Sequence, residues 1–158
     1  MKEEYINAFL APAKMVWDRE LGQTLEFDTA EMASDQFTSE DVTAIIGISG
    51  KLEGTVLYGF PQDTVKAVVA TMVGEDAEGV TDELGLSALG EIANMITGNA
   101  ATKLAQEGYP CDISPPVIIE PMGSRFTTLS GPQILVKFKS DLGMLTVRIS
   151  LSEARPRD

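Results

Sequence analysis

Ser87, Glu91 and Asn94, spaced S-x-x-x-E-x-x-N, are the residues of this chain whose types and spacing best suit chemistry in common. The stretch 81–108 that carries them has helical periodicity. At about 100° per residue, Leu89, Ile92, Ala93, Ile96, Ala100 and Leu104 gather into one apolar stripe about 120° wide. Ser87, Glu91, Asn94 and Gly98 fall on the opposite side. Glu91 and Asn94 are three residues apart and therefore surface neighbours, so the spacing predicts a carboxylate and a carboxamide pointing outward from a rigid element. Such a pair can meet a cation and hold a polar atom by hydrogen bonding. Gly98 and Ala101 continue the face with almost no bulk, leaving room for a partner's backbone, and Met95 flanks it as an adaptable apolar contact. The same residues also suit the plain solvated side of an amphipathic helix, and periodicity alone does not separate the two readings.

Composition narrows the chemistry. The 158 residues contain no histidine, which removes His-based triads, a His general base and the usual zinc sites. Twelve basic against 24 acidic residues give a formal charge of -12, which argues against nucleic acid or anionic membrane as the partner and for a positively patched protein. Cys111 is the single cysteine, so no intrachain disulfide forms; it is expected to be a small buried or half-buried filler. Met1 to Glu4 lead into no sustained apolar run, so neither a secretory signal nor a spanning helix is expected, and a cytoplasmic location is the default. With 44% hydrophobic residues the chain has enough apolar matter for one compact domain over residues 1–158 and too little length for two ordinary ones.

Several elements must position the pair. Ile6, Phe9, Leu10, Ala13, Val16 and Trp17 predict a first helix over 3–21, bent or broken at Pro12 at a cost of about 3 kcal/mol. A strand is expected over 24–30, then a polar stretch through Asp41. Apolar, β-branched runs over 42–49 and 55–60 read as a hairpin around Gly50 to Gly54. A short helix follows, with Pro61 in its first turn and Gly74 at its end. Thr81 is a suitable N-cap for the motif helix, and Gly108 with Pro110 stops it. Val117 to Glu120, fenced by Pro115, Pro116 and Pro121, suits an edge strand. The runs 133–139 and 144–150 form a second hairpin. Two units of long helix followed later by a hairpin suggest an internal duplication with pseudo-twofold symmetry. The strands lack central charges that would guard an open edge.

The segment from Ser87 to Ala100, S-A-L-G-E-I-A-N-M-I-T-G-N-A, resembles the signature helix of the CheC/CheX family of chemotaxis phosphatases, in which a Ser or Asp precedes Glu by four and Asn follows by three. Chain length, the opening Tyr5, Ile6, Asn7 and Phe9, and the order of elements are similar to the single-motif CheX branch. The resemblance implies an α/β fold of the α+β type: a mainly antiparallel sheet with two long helices packed on it, a pseudo-twofold sandwich that pairs as a homodimer through sheet edges. It further implies a phosphatase acting on the aspartyl phosphate of a CheY-like response-regulator receiver domain. Asn94 would position the attacking water and Glu91 would pair with the receiver lysine, with Ser87, Met95 and Gly98 as partner-binding residues. Mg²⁺ is expected on the receiver, and no metal or cofactor on this chain.

Other constellations carry less. Glu4-x-x-Asn7 repeats the Glu/Asn spacing without a preceding Ser or Asp, at a helix start expected to fray. Gly47, Gly50, Gly54 and Gly59 lie in a hairpin with no phosphate-loop lysine. The acidic sets Asp35, Glu40, Asp41 and Glu75, Asp76, Glu78 lack calcium-loop spacing. Two alternatives stay open: a non-catalytic receiver-binding module of the flagellar-switch type, and a homodimeric scaffold in which the motif is incidental.

Overall fold

In the computed structural model, which describes residues 1–33, 36–38, 42–74, 83–120, 125–127 and 132–155, the first apolar repeat forms one unbroken helix, α1 (Glu3–Leu21). Pro12 does not break it. Its ring is buried in the helix's inner face, and Phe9, Val16 and Trp17 on that face are each no more than 2% exposed. Burial at about 1.5–3 kcal/mol for each large apolar side chain outweighs a proline penalty of about 3 kcal/mol.

Strands β1 (Glu26–Ala33) and β2 (Gln36–Thr38) follow, the second inside the stretch expected to be irregular. Strands β3 (Val42–Gly50) and β4 (Leu52–Phe60) form the first hairpin, helix α2 (Gln62–Val73) comes next, and the motif helix is α3 (Glu83–Gln106). The hairpin turn is tighter than expected, because Leu52 is fully buried and already belongs to β4. Three short strands, β5 (Cys111–Ile113), β6 (Val117–Ile119) and β7 (Arg125–Thr127), precede the second hairpin of β8 (Gln133–Ser140) and β9 (Gly143–Glu153). Thr81 and the two acidic sets named above lie outside the described residues.

The larger sheet has seven strands in the order β1-β8-β9-β4-β3-β5, with β6 also paired to β3, and every pairing is antiparallel. This order carries the expected pseudo-twofold symmetry. Each half runs helix, strand, hairpin, and the lone strand of each half pairs with the hairpin of the other: β1 on β8, β6 on β3. The two hairpins meet at the centre through β4 and β9. Strands β2 and β7 hold equivalent places in the two halves and pair with each other, Gln36-Phe37-Thr38 against Arg125-Phe126-Thr127. The two strands share a Phe-Thr dipeptide, too short for periodicity to register.

Both edges of the large sheet are guarded, contrary to the reading of uncharged strands. On one side β1 carries Asp28 and Glu31; on the other β5 and β6 are three residues each, and Pro115 and Pro116 lie between them. Charges, proline and brevity are the usual protections of an open ladder. Cys111 is half-buried, and burial, with Asp112 beside it, pushes its thiol pKa up, as befits an inert filler.

The core lies between the helices and one face of the sheet, where Ala44, Ile46, Val56, Tyr58, Phe60, Val147 and Ile149 meet Leu89, Ile92, Ile96 and Leu104 of α3, all at 1% exposure or less. A polar contact joins α3 to the sheet across this apolar layer. The Tyr58 hydroxyl lies 2.7 Å from Thr97 Oγ1, and Thr97 donates its own proton to the Ala93 carbonyl at 2.8 Å. Tyr58 is therefore the donor to Thr97. Its complete burial raises the phenol's pKa and keeps that proton in place. At the far end α3 closes in a Schellman arrangement: Tyr109 N–H bonds Leu104 O at 2.8 Å and Gly108 N–H bonds Ala105 O at 3.1 Å, with Gly108 at a φ of +95°.

The direction of that buried bond gives an asymmetry to measure. Thr97→Val leaves the buried Tyr58 hydroxyl without its acceptor and is expected to cost about 1–3 kcal/mol, whereas Tyr58→Phe leaves Thr97 its Ala93 partner and is expected to cost about 0.5–1.5 kcal/mol. Urea denaturation of both variants checks the order; an equal or reversed loss contradicts the assignment of donor and acceptor.

Candidate functional site

Helix α3 turns its wholly buried stripe of Leu89, Ile92, Ala93, Ile96, Thr97, Ala100 and Leu104 onto the sheet, each at 0% exposure, and this leaves Ser87, Glu91 and Asn94 exposed. The carboxylate and the amide share one face, as the i, i+3 spacing demands. Among the described residues neither side chain makes a hydrogen bond or ion pair within the chain, and Ser87 makes none. No described residue engages either group by a hydrogen bond or ion pair, which leaves both available to another molecule.

The remaining partner-binding candidates are placed differently. Met95 is half-buried on the α1 side, its sulfur 3.9 Å from Arg19 Nη2, and it packs against the core. Gly98 is also half-buried; a Cβ there would come to 3.9 Å from Ile113 Cδ1 of β5, an ordinary contact. These two residues therefore border the exposed face without standing on its crest.

On its other flank the face opens into a groove between α3 and β6. Glu83, Ser87, Glu91 and Asn94 line it from the helix; Leu86 and Gly90 continue that side, and Pro116 and Ile118 stand opposite. Sequence reasoning placed Pro116 and Ile118 on an edge strand but did not bring them to the motif, because only the β6–β3 pairing, Thr43 opposite Ile119 and Val117 opposite Ile45, carries them across. Gly90, inside the motif itself, was the available signal: glycine in a helix interior is disfavoured and asks for a reason.

The second Glu/Asn pair behaves otherwise. Tyr109 donates to Glu4 Oε1 at 2.8 Å, Lys2 Nζ approaches the same hydroxyl at 3.0 Å, and the Tyr5 and Tyr109 rings meet edge to face at 5.2 Å. The start of α1 is thus clasped rather than frayed, and its carboxylate is engaged. Among the described residues no cluster of three or more His, Cys, Asp or Glu could hold a metal ion, and no helix is long and apolar enough to cross a membrane. The arrangement on α3 can orient, hydrogen-bond and pair charge.

The family model described as chemotaxis phosphatase CheX matches residues 42–151. A curated relative, the CheY-P phosphatase CheX of Thermotoga maritima, is 41% identical over 78 residues, which are 49% of this chain and 50% of that protein, so the chain spans about half the length of the curated relative it matches. The crystal structure of a chemotaxis protein CheX from Desulfovibrio desulfuricans superposes with a TM-score of 0.85 at 25% identity, covering 96% of this chain and 99% of that one. A CheX–CheY–BeF3–Mg²⁺ complex from Borrelia burgdorferi superposes at 0.73, also at 25% identity, covering 94% and 98%.

Proposed function

Since the chain belongs to the chemotaxis phosphatase CheX family, we propose that it hydrolyses the aspartyl phosphate of a CheY-like receiver domain, with Glu91 and Asn94 as the working pair. The observation that carries this reading is the pair's freedom: both side chains stand exposed on a helix fixed by its buried stripe, with no partner among the described residues.

The substrate supplies most of the chemistry. An acyl phosphate is already a reactive bond, and the receiver's own Mg²⁺ and lysine neutralise charge on the phosphoryl group. Phosphoryl transfer passes through a loose, in-line transition state, in which placing the water matters more than stripping its proton. Asn94 enters the receiver's pocket, and its side-chain oxygen accepts a hydrogen bond from that water, holding it opposite the leaving carboxylate. Water attacks phosphorus, the P–O bond to the aspartyl carboxylate breaks, and inorganic phosphate departs. An amide suits the place because it is neutral; a carboxylate there would face the phosphate with like charge. Glu91 pairs with the receiver lysine. Excluded from water at an interface, such a pair orients the two proteins more strongly than an exposed one worth about 0–1 kcal/mol.

Four measurements test the proposal. Asn94→Ala is expected to lower the stimulated decay of a phosphorylated receiver about 100-fold, equivalent to about 2.7 kcal/mol of barrier, with the circular dichroism spectrum and melting temperature unchanged. Glu91→Ala is expected chiefly to weaken binding. Wild-type rates in both variants would end the enzyme reading, and an unaltered or slowed decay with the wild-type chain would favour the receiver-binding module instead. Glu4→Ala together with Asn7→Ala is expected to leave phosphatase activity within about twofold; a loss of activity in a variant that still melts normally would make the α1 pair a second site. The homodimer implied by the family resemblance belongs to the same proposal, and light scattering at micromolar concentration should return twice the chain mass; a monomer mass removes it.

A further inference from the structure

The groove beside α3 has about 370 Å³ of space, and the buried Gly90 is part of its lining. A Cβ at Gly90 would meet Ile118 Cδ1 and Pro116 Cγ at 3.4 Å each, so an alanine would just touch both walls and anything larger would fill the floor. The backbone does not demand glycine there, because Gly90 is not among the residues of positive φ. What the missing side chain provides is room.

We propose that this groove receives an uncharged apolar side chain which the receiver presents beside its phosphorylated aspartate and its lysine, so that Gly90, Leu86, Pro116 and Ile118 set which receivers are accepted. The inference rests on the phosphatase reading and deepens it. Continuity is the first support: Gly90 lies about one helical turn from Asn94, about 6 Å along the axis, so a surface that admits Asn94 must also cover the groove. Charge is the second. The carboxylates at the rim, Glu83 and Glu91, have no cationic partner among the described residues and would repel an acidic side chain, while the walls between them are hydrocarbon.

The test compares wild type with Gly90→Leu, which fills the floor, and Leu86→Gln, which makes one wall polar, each checked for folding by thermal melting. Binding is read against a CheY-like receiver loaded with beryllofluoride and Mg²⁺, and turnover against the same receiver phosphorylated. Gly90→Leu is expected to raise Kd and KM about tenfold, equivalent to about 1.4 kcal/mol, and Leu86→Gln to raise them about threefold, both with kcat at saturation within about twofold of wild type. Should Gly90→Leu fail to fold, Leu86→Gln decides alone. If wild type is active and the folded variants bind within experimental error of it, the groove inference falls and the phosphatase reading stands. If wild type neither binds nor dephosphorylates any receiver, the phosphatase reading falls, and the groove inference with it.

Discussion

The site depends on how α3 is turned about its own axis. A rotation of one residue, about 100°, would carry Asn94 off the crest of the exposed face and bring a core residue into water. Two features of different kind prevent it. The apolar stripe sets the side that faces the sheet but tolerates small slips, since hydrocarbon contacts have little direction. The Tyr58–Thr97 hydrogen bond does not tolerate them, because a buried hydroxyl that loses its acceptor is costly. One polar contact inside an apolar layer thus gives the helix a defined register, and the outward pair inherits it.

Symmetry supplies the rest of the setting. Because the lone strand of each half crosses to pair with the hairpin of the other, β6 is brought onto β3 and stands beside the N-terminal half of α3. The Pro116–Ile118 wall of the groove is therefore a product of topology rather than of anything adjacent in sequence. The same duplication creates two long helices that have diverged in use. On α1 the carboxylate of the Glu/Asn pair is held by Tyr109, beside Lys2, and serves to clasp the helix end; on α3 the equivalent groups have no partner among the described residues. A free polar group on a rigid helix is a resource for recognition, and an engaged one is not.

Charge fits the same division. The chain carries a formal charge of -12, and the groove contributes two carboxylates with no basic group in its lining. An acidic surface is suited to a receiver that exposes a lysine near its phosphoryl group, and in the proposed complex the neutral amide of Asn94 would bring no like charge to the phosphate.

Much of this was open to inspection in the residues themselves. Helical periodicity is local, so the stripe of α3, the outward direction of Glu91 and Asn94 and the stops at Gly108 and Pro110 follow from side-chain order alone, as do both hairpins. The absence of histidine settles by itself which mechanisms are closed. Non-local pairing has no such local signal. Strands of three residues such as β2, β5 and β7 are too short for alternation to register, and the β2–β7 pair joins residues far apart in the chain. Pro12 looked like a break because its penalty is local, whereas the burial that overcomes it is tertiary. Likewise, the residue types show that Glu4 and Asn7 have the right spacing, but only folding brings Tyr109 to Glu4, Tyr58 to Thr97, and Pro116 with Ile118 to Gly90, because each of these contacts depends on distance in space and on nothing that adjacency in sequence encodes.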